Sequence, residues 1–315
     1  MSEASRPPPT RFDPFLSDSK LRHAYQLLHA GNWDELDKVL SRAPGSWLLP
    51  PILTSEDAAI ESVVLVRYVK ARPSCRSLSL LAGLKVRDAF EAHSVEDATT
   101  FTTQLQRAEK LLHDAMHFDP QLADPWVHLL HSGRGLNIDL RDLRHRFESA
   151  HELAPFRPDA CRQYLLGLSS RSGGSDDAMF DFARWIRAEA PSGSPAMGTL
   201  PTAHLEYCFG HESPVSLTEH LTHPATVAEL TPALADYMWA NPSQAGPAEL
   251  PTLNAFALAM TVSDRETALL VRGCFRRIDN RPTSYPWSLY QDEEIAEVFN
   301  EVQRAQLRSA DRFAP

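Results

Sequence analysis

Thirteen histidines are spread along the 315-residue chain, and six of them fall between His113 and His151. His113 and His117 are four residues apart, and His128 and His131 three apart. Either spacing sets two imidazoles side by side on a helix, as a transition metal requires. These four are therefore the candidate metal ligands. The surrounding letters weaken the case: HDAMH lacks the glutamate of HExxH, and no carboxylate stands at a diagnostic interval. Histidines on a surface or in a groove, holding no metal, are the simpler reading, and no cofactor is expected. Asp176, Asp177 and Asp181 could hold Mg²⁺ against an anionic leaving group. They follow GGS, however, where Ser175 as a cap and acids in a first turn are explained by helix initiation. Cys161 and Cys208, the latter near His204, are conceivable nucleophiles, but both sit in apolar stretches that suit inert thiols. No GxSxG elbow, GxxxxGK[ST] phosphate loop or strand-borne GxGxxG is present.

The elements that must position these side chains announce themselves through proline. Five, eight and twelve residues before Pro120 stand Ala115, Leu112 and Ala108. Before Pro155 stand Ala150, Phe147 and Leu143, and before Pro191 Ile186, Ala183 and Met179. Intervals of three and four place each set on one helix face, ending at a helix-stopping residue. The prolines are 35 and 36 residues apart, the period of a helical-hairpin repeat. Asp124 to His131 is expected as the first helix of one hairpin, with Gly133 and Gly135 in its closing turn, and Leu140 to Leu153 as the return. Asp159 to Leu168 and Asp177 to Ala190 form the next pair. Leu230, Leu234 and Tyr237 repeat the spacing before Pro242.

Upstream, Leu21 to Ala30 and Trp33 to Leu40 read as a hairpin around Gly31 and Asn32. Ser55 to Ala71 reads as a helix whose β-branched residues would also permit a strand. Ser77 to His93 and Ser94 to His117 read as two more helices. The stretch PSGSPAMGTLP after Pro191 is either a loop over a groove or a boundary between subarrays, and helices resume from Thr202. The aromatic segment Tyr285 to Tyr290 is expected to dock a last helix. No strand alternation or βαβ rhythm appears, so the fold class is all-α. The organisation expected is a flexible tail over 1–17, helical repeats over 18–191, and further repeats with a C-terminal capping segment over 192–315.

A formal net charge of -10 argues against nucleic-acid binding, which favours a basic face. Only five of the 31 basic residues are lysine, and alanine, arginine, leucine and proline abound, the codon signature of a bacterial genome rich in G and C. Four widely spaced cysteines suit a reducing cytoplasm, and no signal peptide or membrane-spanning run is evident.

The repeats resemble tetratricopeptide repeats (TPR-like) from about Thr99 to Pro191. Trp126 and Leu129 match first-helix positions of one unit, Cys161 and Tyr164 those of the next. Ala108, Leu112, Ala115 and Pro120 match the second-helix pattern. Leu130 and Leu165 stand where the family usually has glycine, and Gly133 and Leu168 where it has tyrosine. The resemblance implies an irregular α-solenoid whose concave groove, lined by first helices, holds a peptide or protein segment. It places Asp124, Val127, His131, Arg134, Asp159, Arg162, Leu166 and Ser169 in that groove. The leading expectation is a non-catalytic, cytoplasmic protein- or peptide-binding scaffold. The alternative is an enzyme on a helical scaffold, tailoring a small molecule or peptide in a bacterial biosynthetic pathway and possibly metal-dependent.

Overall fold

The computed structural model describes residues 12–13, 15–42, 62–94, 98–210, 216–241, 245–290 and 294–313. The proline tract Pro7 to Pro9, the start of the Ser55–Ala71 segment, and Pro242 lie outside them. Apolar stripes at three- and four-residue intervals become helices throughout, and no strand occurs among the described residues. In chain order they are α1 (Ser19–Ala30), α2 (Trp33–Arg42), α3 (Ser62–Ala71), α4 (Cys75–Ser94), α5 (Ala98–Phe118), α6 (Asp124–Gly135), α7 (Leu140–Leu153) and α8 (Pro158–Leu168). There follow α9 (Asp176–Glu189), α10 (Thr199–Phe209), α11 (Leu217–Thr222), α12 (Pro224–Ala240), α13 (Leu250–Ala259), α14 (Arg265–Ile278), α15 (Ser284–Trp287) and α16 (Ile295–Asp311). The described part of the Ser55–Ala71 segment is thus helix, despite its β-branched residues.

The nine stripe residues before Pro120, Pro155 and Pro191 are all buried, as are Leu230, Leu234 and Tyr237. Alternate helices pack on one another, α4 on α6, α6 on α8 and α8 on α10, and α10 packs on α13. The helices between them pack on the next in the chain, α5 on α6, α7 on α8 and α9 on α10. Caps fix several starts: Asp139 accepts from the Asp142 amide at α7 (2.9 Å), and Ser175 from the Ala178 amide at α9 (3.1 Å). Asp176 and Asp177 occupy the first turn of α9, where the positive end of the helix favours them.

Three local expectations change. Helix α6 runs on to Gly135 instead of turning at Gly133. A Cβ on Gly133 would lie 2.7 Å from Ile138 Cδ1, and one on Gly135 2.6 Å from Leu105 Cδ1. Both glycines therefore let neighbouring side chains close onto the helix, and that packing offsets their poor helix propensity. The Gly/Pro/Ser stretch is not an open loop. Pro195–Gly198 forms a 3₁₀ turn with Ala196, Met197 and Gly198 buried, and a single apolar core runs through it from Val127 to Phe299. Within the expected 1–17 tail, Phe15 and Leu16 are buried, Phe15 in the core of α1–α4 and Leu16 in the larger one.

The aromatic segment docks as its composition suggests. Trp287 is fully buried, donates from Nε1 to Asn254 Oδ1 (2.6 Å), and meets Phe299 of α16 edge-on at 5.2 Å. Asn254 is buried too and spends its amide on the carbonyls of Leu250 and Arg281 (2.9 and 3.3 Å).

Close approach of α7 and α8 centres on Gly167, where a Cβ would stand 2.4 Å from Leu143 Cδ2. Leu143 is itself 2% exposed and has nowhere to swing. Gly167→Ala is therefore expected to destabilise the protein by about 1–3 kcal/mol through overpacking. An unchanged urea midpoint would show that the contact is not tight.

Candidate functional site

The first helices α6 and α8 begin at one buried ion cluster. Asp124 opens α6 and Arg157 caps α8, each 7% exposed. Arg157 Nη2 donates to Asp124 Oδ1 (3.0 Å), and its Nε to Asp159 Oδ1 (2.9 Å). Burial alone would raise the Asp124 carboxyl, but the charge and hydrogen bond of Arg157 outweigh it and hold the group below the usual aspartate range. Asp159 also accepts from the amide of Ala160 (2.9 Å). Two of the eight expected groove residues, Asp124 and Asp159, thus belong to a joint between helices.

One turn along α6, burial drives the His128 imidazole down to about 4 against the pull of Asp124, and its Nε2 has no hydrogen-bond partner. His131 follows, stacked on Phe90 with ring centroids 4.5 Å apart. Burial, aided by Arg134, His128 and Arg162, holds it well below the usual histidine range. Both imidazoles are neutral at pH 7.

Arg134, in the last turn of the extended α6, lies over the same Phe90 ring at 5.1 Å. Arg162 of α8 lies over Tyr285 at 4.2 Å. The Nε atoms of both arginines are buried without a partner, and among the described residues no carboxylate pairs with either guanidinium. Burial, then the nearby Arg162, pushes Arg134 down to about 10, with Glu206 opposing. Glu206, buried on α10, accepts from Arg171 Nη2 (2.5 Å) in the turn after α8. The Tyr285 phenol faces Glu206, and burial with that carboxylate keeps it protonated.

The remaining expected residues are internal. Val127 belongs to the core, Leu166 is 5% exposed, and Ser169 donates to the Leu166 carbonyl (2.7 Å). The structure therefore gathers His131, Arg134 and Arg162, and adds Phe90, Arg171, Glu206 and Tyr285, which sequence reasoning missed. Glu206 left one trace, as the lone acid in the otherwise apolar TLPTAHLEYCF. Arg171 had none, since SSRSGGS reads as a connector.

The histidine pairs stay apart. His113 and His117 are exposed on α5, while His128 and His131 face the first-helix row. Among the described residues no three His, Cys, Asp or Glu side chains are placed to share a metal. The cysteine thiols are buried and raised by burial, Cys75 and Cys208 to about 11 and Cys161 further still. None is poised as a nucleophile.

A second polar chain lies on the far side of α10. His204 Nε2 is 3.3 Å from Glu229 Oε2, and its Nδ1 is 2.9 Å from His220 Nε2. Arg184 Nε donates to the same carboxylate (2.8 Å). The hydrogen bond from His204 and the Arg184 charge bring Glu229 down to about 2. The chain ties α10, α11 and α12 and reaches no activated nucleophile.

The Arg157 joint has a pH signature. Asp124 is depressed in the folded state, so its stabilisation is present above the unfolded value of about 3.9 and is lost as pH falls below it. The melting temperature of the wild type should drop more steeply from pH 5 to 3 than that of the Asp124→Asn, Arg157→Met double variant. Arg157→Met alone should cost about 3–5 kcal/mol at pH 7 by leaving a buried carboxylate unpaired. Parallel acid limbs, read by circular dichroism melts, would show that Asp124 is not coupled to folding.

Comparisons with protein-family models, with curated proteins and with solved structures find no match to this chain. Among the described residues no helix is long and apolar enough to cross a membrane.

Proposed function

We propose that the chain is a non-catalytic binding scaffold, an irregular solenoid of TPR-like hairpins that grips a protein or peptide segment along the row α6, α8, α10. The observation that carries this reading is a set of unmet polar atoms on two successive first helices. His128 Nε2 and Arg134 Nε on α6, with Arg162 Nε and Gln163 Oε1 on α8, are buried and without hydrogen-bond partners. Nearly all buried polar atoms in folded proteins are paired, so such a cluster calls for an outside partner. It contains both donors and an acceptor, which is what an extended backbone, alternating N–H and C=O, can satisfy. Helical spacing supports one face: His128 and His131 are one turn apart on α6, and Arg162 and Gln163 are adjacent on α8. The reading sets the protein in a bacterial cytoplasm, in keeping with four unbridged cysteines.

A peptide selected from a displayed random library on the full-length protein should bind saturably and without turnover. Arg162→Ala should weaken it about tenfold or more, while Arg184→Ala, which breaks the ion pair to Glu229 on the other side of α10, should leave it within about twofold. Fluorescence anisotropy reads both. Absence of saturable binding, or binding indifferent to Arg162, overturns the reading.

A further inference from the structure

We propose that Arg134, Arg162 and Arg171 form a binding site for a phosphate monoester dianion. This rests on the reading of the α6–α8–α10 row as a binding face and names the chemistry that face takes. Arg162 and Arg171 both lie within electrostatic reach of Arg134, and so does Glu206, which accepts from Arg171 Nη2 at 2.5 Å. Three positive charges against one negative leave two uncompensated, while His131 beside them is neutral. A single carboxylate would leave half of that excess unmet; a dianion cancels it.

Geometry points the same way. The guanidinium carbons of Arg134 and Arg162 lie 5.1 and 4.2 Å from the ring centroids of Phe90 and Tyr285. A ring beneath a guanidinium attracts it without occupying its N–H donors, which stay free for an acceptor. The two come from different helices, so an acceptor that serves both needs several oxygens, and a phosphoryl group offers three where a carboxylate offers two. The Tyr285 phenol, kept protonated beside Glu206, adds a neutral donor. Arg171 is half exposed while Glu206 is 2% exposed, which sets Arg171 at the rim, held by an acid that a ligand would compete with.

Isothermal titration of the full-length protein at constant ionic strength tests this with phenyl phosphate, phenylacetate, and degenerate peptide libraries carrying either phosphoserine or serine. Phenyl phosphate should saturate one site and phenylacetate should bind at least about tenfold more weakly. Arg134→Gln and Arg162→Gln should each weaken phenyl phosphate about tenfold, and Arg162→Lys should fall between them and the wild type. Arg187→Gln, which removes the same charge at the ion pair with Asp236, should change nothing. Glu206→Gln should tighten binding several-fold, because the internal competitor for the same cations is gone. That gain is one a merely structural glutamate would not give, and it stands even where an arginine variant folds poorly.

The libraries separate the sources of the phosphoryl group. Tighter binding of the phosphoserine library than of phenyl phosphate assigns it to a phosphorylated peptide. Binding of phenyl phosphate with none of either library assigns it to a small phosphorylated molecule, and then the peptide scaffold falls while the site stands. Equal binding of the serine and phosphoserine libraries overturns the phosphate site and leaves the scaffold. No binding of any probe overturns both.

Discussion

A single guanidinium sets the register on which the rest of the molecule depends. Arg157 stands at the start of α8 and forks to Asp124 on α6 and Asp159 on its own helix, with all three carrying side chains largely or wholly withdrawn from water. Buried charges persist only when paired, since an orphan costs several kcal/mol. The two helices are therefore pinned with their starts level. Asp124 and Asp159 are 35 residues apart, as are Pro120 and Pro155, so positions of α6 and α8 correspond at that interval. Val127 corresponds to Arg162, His131 to Leu166 and Arg134 to Ser169. The diagonal meeting of Arg134 and Arg162 across this register brings the two stacked cations into one field.

Charge is distributed unevenly across the two sides of the helix array. On the second-helix side cations find acids: Arg146 pairs with Glu109 (2.6 Å), Arg184 with Glu229 (2.8 Å), Arg187 with Asp236, and Arg272 with Asp311 (2.5 Å). These are bonds between neighbouring helices, and the exposed ones contribute little to stability. On the first-helix side Arg134 and Arg162 have rings beneath them in place of acids. A ring attracts a cation more weakly than a carboxylate does, but it leaves the donors unspent.

The helical framework was legible because its signal is local. Each stripe of three apolar residues and its proline lies within thirteen residues, and all nine stripe residues are buried where the spacing puts them. The candidate site was legible in half. His131, Arg134 and Arg162 are among the residues that the tetratricopeptide-repeat resemblance places in a groove, while Asp124 and Asp159 are spent on the Arg157 joint, which neither the resemblance nor the spacing reveals. Glu206 and Tyr285 reach the site across 44 and 123 positions from Arg162 in the numbering. No local pattern encodes such a meeting. Glycine misled for a related reason: Gly133 and Gly135 resemble a helix-ending turn by propensity, and only the tertiary neighbours Ile138, Leu105 and Phe101 make them packing residues inside a helix.

The unmet atoms on α6 and α8 are costly to hold. Each buried donor without a partner forfeits about 1–3 kcal/mol, and repulsion among like charges adds to that. Stacking on Phe90 and Tyr285 returns about 0.5–2 kcal/mol per cation, which offsets part of the loss and not all of it. The balance is supplied by the core that continues unbroken behind the row through α8, α10 and α13. The same rings limit where each guanidinium can sit. A flexible arginine loses rotamer freedom when it is captured, about 0.5–1.5 kcal/mol per side chain, and here that loss is incurred on folding. Ordered donors without partners are what the proposed phosphate site would use, and local conflicts of this kind concentrate where a protein does its work.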